Sequence, residues 1–127
     1  MSVTLVGVDE LQGVTMSVGD WQLIDATVDN SVSIAAVDGD ELCVTTGRRV
    51  RQAGWTASAS HPLVKHGVLG WPPVDVPITI YLPVEDWSFV LAELARWAAV
   101  SESTGIVEER DDSARIERLL RAHLTSR

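Results

Sequence analysis

"SVSIAAVDGDELCVTT", residues 31–46, sets two β-prone runs on either side of Asp38-Gly39-Asp40, and its reading decides the fold. Val, Ile and Thr runs closed by an Asp-Gly pair predict a β-hairpin. Pairing Ile34 with Val44 and Ala36 with Leu42 gathers the larger apolar side chains on one side and requires a three-residue loop. Ser33, Ala35, Cys43 and Thr45 then share the other side. On that reading Cys43 is a small strand residue rather than a nucleophile.

Outward from the hairpin, "VTLVGV" (3–8), "GVTMSV" (13–18) and "WQLIDATV" (21–28) are short, β-branched and separated by Gly, Asp or Asn, so they too predict strands. "RRVRQAGWTASAS" (48–60) continues the pattern, with Trp55, Ala57 and Ala59 alternating. A Pro/Gly-rich connection fills 61–77, and "PITIYL" (77–82) predicts a buried strand. The apolar period then changes from two to 3.6. Pro83 suits a first helical turn, and Glu85 and Asp86 sit where the helix dipole favours acids. Trp87, Val90, Leu91, Leu94 and Ala98 make one stripe, with Trp97 at its edge. Phe89 lies on the far side of that helix, which points to a homodimer contact or a tight two-helix layer. A last helix is expected from Asp111/Asp112, with Ile116, Leu119, Leu120 and Leu124 as its stripe. Asp111 to Arg115 and Glu117 to Arg121 are i,i+4 pairs of favourable polarity. The expected class is α+β in a single domain, 1–127. An N-terminal antiparallel, curled or barrel-like sheet covers about residues 3–82, and a C-terminal pair of α-helices follows.

Composition bounds the function. The chain has 127 residues, 46% apolar and 22% charged, which fits a soluble globular fold. No apolar run reaches the ~18–20 residues of a membrane helix, and the first residues lack a basic n-region, so neither a membrane partner nor a signal peptide is expected. One cysteine leaves no internal disulfide and no cysteine-rich zinc site, which fits a cytoplasmic setting. Nine of the ten basic residues are Arg, with Lys65 the exception, and together with abundant Ala and Val that coding bias suggests a high-GC genome. The strand, "LPVEDW", helix, helix ending resembles the tails of small proteins from high-GC bacteria and their phages. That likeness implies no activity.

Charge is unevenly spread. Residues 1–47 hold eight acids and no Lys, Arg or His, whereas residues 48–127 sum to zero. The whole net charge of −8 therefore falls in the first third. A surface built from Asp25, Asp29, Asp38, Asp40 and Glu41 would draw a basic protein partner, and direct nucleic-acid contact is disfavoured.

Chemistry is sparse. No phosphate loop, dinucleotide fingerprint, zinc-protease or serine-hydrolase motif occurs, and no catalytic residue, metal ligand or cofactor is expected. "HPLVKHGVLGWPP" (61–73) is the most site-like segment. His61 and His66 are five apart, which suits neither one helix face nor one strand face. The segment reads as a loop anchored by Trp71, with a His-dependent enzyme as the third functional reading. Alternation along a strand would put Arg49, Arg51 and Trp55 on one face, where with Trp71 they could hold a small anionic, nucleotide-like ligand. Binding of a macromolecular partner leads these expectations, as an inhibitory, neutralising or regulatory protein. The small anionic ligand is the alternative.

Overall fold

The computed structural model describes residues 11–105 and 107–125. The expected strand at 3–8 lies outside them. Strand β1 (Leu11–Ser17) leads into helix α1 (Val18–Asp38), and helix α2 (Glu41–Ala59) returns alongside it. A loop with one 3-10 turn (Val64–His66) brings the chain to strand β2 (Pro77–Pro83). Helices α3 (Val84–Thr104) and α4 (Val107–Thr125) complete the order.

The class is α+β, with an antiparallel sheet and a C-terminal helical pair as expected. Among the described residues, however, the sheet has two strands and does not close. β1 and β2 pair antiparallel from Leu11↔Pro83 to Ser17↔Pro77. Val14, Met16, Ile78, Ile80 and Leu82 turn inward, in the period of two that a half-covered sheet requires. On the outer face the Thr15 and Thr79 hydroxyls meet at 2.7 Å, and the Tyr81 ring lies over Gly13, where a Cβ would strike it.

Residues 18–59 correct the hairpin reading. They form two helices, so Ile34/Val44 and Ala36/Leu42 do not pair across a turn. Ser17 is the N-cap of α1, and its Oγ accepts from Asp20 N–H at 3.1 Å. Val18, Trp21, Ile24, Val28, Val32 and Ala35 recur at intervals of three and four and are all buried. Gly39 sits in the left-handed region at φ +79, and Asp40 N–H bonds back to Ala35 O at 2.9 Å, a Schellman ending. Asp40 then caps α2 by accepting from Cys43 N–H at 3.2 Å. Asp38-Gly39-Asp40 is therefore one helix stop and one helix start. β-branched residues cost a helix only a few tenths of a kcal/mol each, while burying a Val, Ile or Trp returns roughly 1.5–3 kcal/mol, so packing decides.

The helices interlock through small residues. A Cβ at Gly47 would collide with Val32, and one at Gly54 with the Trp21 indole, so α2 lies tight against α1. Trp21 meets Trp87 of α3 edge-on, with ring centroids 6.4 Å apart at 84°. Trp87 Nε1 donates to Gln12 O at 2.8 Å, which ties α3 to β1. Trp87, Val90 and Leu94 of α3 and Ile116 and Leu120 of α4 complete the core. α4 starts at Val107, ahead of the expected Asp111/Asp112. Its Glu117–Arg121 pair forms at 2.8 Å, but Arg115 reaches across to Asp20 of α1 in a two-pronged contact at 2.8 and 3.0 Å.

Candidate functional site

Helical rather than extended backbone redistributes the expected ligand residues. Two positions apart on a helix point nearly opposite ways, so Arg49 and Arg51 leave α2 on different sides. Arg49 grips Asp86, at the start of α3, through Nε and Nη2 at 2.8 and 2.7 Å. Asp86 is buried, and this two-bond contact holds the Arg49 guanidinium above its ordinary pKa. Arg51 bonds Asp25 at 3.0 Å and Asp29 at 2.9 Å, which raises it likewise, and its guanidinium lies 4.9 Å from the Trp55 ring centre. Arg51 and Trp55 share a recess of about 390 Å³ with Arg48 and Asp29. Trp71 belongs to the loop, half-buried against the core, and is not among the residues lining that recess. The expected Arg49/Arg51/Trp55/Trp71 cluster is thus divided. Both forks that were to hold an anion are engaged by the chain's own carboxylates.

The histidines part as well. His61 Nδ1 accepts from Leu63 N–H at 3.0 Å, which leaves Nε2 to donate to Pro77 O at 2.9 Å. His61 therefore clasps the loop to the first residue of β2. His66 stands exposed on the 3-10 turn. Beyond it, Val68 and Trp71 bridge across a tight turn whose central residues, Leu69 and Gly70, have φ +56 and +85. Pro72 is buried and Trp71 packs inward, so the segment is the anchored loop that the sequence suggested. Among the described residues no group of three His, Cys, Asp or Glu side chains could hold a metal ion.

Other polar residues carry more structure than their sequence context announced. Ser31, fully buried on α1, donates to Glu93 Oε1 at 2.5 Å and accepts from Trp97 Nε1 at 2.8 Å. Cys43 lies beside this network. Burial, then Glu93 and Asp40, push its thiol up, against a smaller opposing effect of Arg96. Phe89 is half-buried and reaches Gly47 of α2, so the tight helical layer that its position suggested exists within one chain.

The described acidic residues between 11 and 47 fall into two groups. Asp20, Asp25 and Asp29 lie along α1, each facing an arginine. Asp38, Asp40 and Glu41 are exposed at the α1–α2 corner, and neither Asp38 nor Glu41 pairs with a cation among the described residues. Val37 and Leu42 flank them, 87% and 78% exposed.

A cavity of about 740 Å³ forms a groove between α2 and β2. Ala53 and Ala57 wall one side, Ile78, Tyr81 and Leu82 the other, and Leu11 closes one end. No helix among the described residues is long and apolar enough to cross a membrane. Comparison with protein-family models, with curated proteins and with solved structures finds no match, so geometry alone carries the functional reading.

Proposed function

We propose that this is a non-catalytic protein that binds a basic, partly apolar protein partner through its α1–α2 corner. One observation carries the reading: Val37 and Leu42, among the most exposed large apolar side chains, project beside Asp38, Asp40 and Glu41. Exposed apolar residues ringed by like charge suit a contact whose centre is desolvated and whose rim steers the approach. The acids of α1 contribute less, because Arg51 and Arg115 already answer them. The engagement of both His61 ring nitrogens and the raised Cys43 thiol favour binding over catalysis.

The test is capture of the partner from the native host, followed by association kinetics. Asp38→Lys with Glu41→Lys should slow association at least tenfold at low salt and leave dissociation nearly unchanged. Leu42→Ser should instead speed dissociation. Asp40 is left intact because it caps α2. Association that is equally fast at low and high salt, and indifferent to all three substitutions, would remove the corner as the contact.

A small anionic ligand is the second reading, favoured by Arg48, which makes no ion pair among the described residues and opens on the recess beside Trp55. Titration with a nucleoside triphosphate should then change Trp55 fluorescence. An unchanged signal in the wild type, set against a Trp55→Phe control, counts against it.

A further inference from the structure

The connection between α2 and β2 carries an apolar tip that its own fold does not use. Val68 and Leu69 are 71% and 94% exposed. Leu69 and Gly70, both in the left-handed region, form the centre of a turn closed by Trp71 N–H to Val68 O at 3.0 Å. Glycine adopts that region freely and asparagine tolerates it, whereas a leucine there is strained. Leu69 thus weakens the turn and buries nothing in return, so its side chain points to an outside contact. The tip is also held firmly. Trp71 packs on the core, Pro72 is buried, and His61 clasps Pro77, so little freedom is left to lose on binding.

The charge of the tip says what it fits. Residues 63–71 hold Lys65 and His66, both exposed on the 3-10 turn, and no acid. Lys65 has no carboxylate partner among the described residues. The α1–α2 corner is the converse, with Val37 and Leu42 beside Asp38 and Glu41. The two surfaces stand at opposite ends of the helical pair: the corner joins the helices, while Gly19 N–H at the start of α1 donates to Val74 O of the connection at 2.9 Å. The length of α2 puts about 28 Å between them. We infer that the loop tip of one copy docks on the α1–α2 corner of the next, so that the corner takes a second copy of this chain. The inference rests on the corner reading above and names the basic, apolar segment bound there. Its contact is head-to-tail, leaving a free tip and a free corner at the ends of any open assembly. Two chains of net charge −8 repel in most orientations, and the approach of Lys65 to Asp38 and Glu41 relieves that repulsion while Leu69 meets Leu42. A contact this small lies well under the ~800 Å² per partner of a stable interface, so each should be weak, on the order of 0.1 mM.

Sedimentation and amide NMR of the full chain test it. From about 0.05 to 1 mM the average mass of the wild type should at least double, and amide shifts should move together at residues 65–70 and 37–42. A loop variant, Lys65→Ala with Leu69→Asn, and a corner variant, Asp38→Lys with Glu41→Lys, should each fold and stay monomeric. All four side chains are exposed, and asparagine accepts the left-handed turn. Mixed in equal amounts, the two variants should form a dimer and nothing larger, because the pair holds one intact tip and one intact corner. A wild type that stays monomeric at the highest concentration would overturn the inference, as would assembly that persists in either variant or a mixture that fails to dimerise. The two readings fail separately: a monomeric wild type leaves the corner's capture of a foreign basic partner to its own kinetics, and a foreign partner indifferent to the corner leaves self-assembly to the mixture.

Discussion

Helix α2 meets its neighbours in two ways. Towards α1 its positions of contact are Gly47 and Gly54, and the opposing Val32 and Trp21 occupy the space their missing side chains leave. Arg51 closes the margin with Asp25 and Asp29. Towards β2 it presents Ala53 and Ala57, also small, yet the result is an open groove. Small residues bring elements together only where a larger side chain opposite is shaped to fill the gap. Across the α1 contact a Trp does so. Across the β2 contact the nearest large ring, Tyr81, is turned over Gly13 instead.

On that contrast, enlarging a small residue of α2 has unequal outcomes on the two sides. Gly54→Ala forces a methyl into the Trp21 indole and should cost about 2–3 kcal/mol net of its helix-propensity gain, the largest effect expected, read as a lowered melting temperature. Arg49→Met strips the buried Asp86 of two charge-assisted bonds and should cost about 2 kcal/mol by denaturant titration. His61→Ala removes the clasp on Pro77 and should cost about 1 kcal/mol, whereas His66→Ala should leave stability unchanged. Ala57→Val, on the open side, should stay within about 0.5 kcal/mol of the wild type, and a loss as large as that of Gly54→Ala would erase the distinction between the faces.

The smallest effect concerns Cys43. Its thiol holds the proton more tightly in the folded chain, so the associated stabilisation is present below the unfolded pKa and fades as pH rises through the folded one. Alkylation of the folded protein should lag that of the unfolded chain around the ordinary cysteine range and converge with it at higher pH. Equal rates throughout would mean that the Ser31–Glu93 neighbourhood leaves the thiol open.

What the sequence made legible depended on length of period and on capping. β2, α3 and the stripe of α4 were readable because "PITIYL" alternates and Trp87, Val90, Leu94 and Ile116, Leu120 keep a helical interval. The α1–α2 pair was misread because Val, Ile and Thr fit a strand locally, while the decisive pattern runs over six positions from Val18 to Ala35. Two short signals were present: Ser17 three residues before Asp20, an N-terminal capping pattern, and Gly39 before Asp40, a helix stop followed by a cap. The arginine cluster failed for the same reason, since side-chain direction inherits the period of the backbone. The corner acids survived the change, because a turn exposes its residues whether it joins strands or helices.

Thr15 and Thr79 touch although they stand 64 positions apart, and the two strands they belong to share no turn. A hairpin can zip from its own loop; this sheet has none, and closing so long a stretch of chain costs about 3–4 kcal/mol of entropy before the first cross-strand bond forms. The α1–α2 pair, whose contacts are near in sequence, removes most of that cost, because its antiparallel course returns the chain to the end where β1 stopped. The sheet is thus expected to be the last element completed and the first to open. Substitutions at the Gly54–Trp21 seat should accordingly slow folding, and substitutions in β2 should chiefly hasten unfolding.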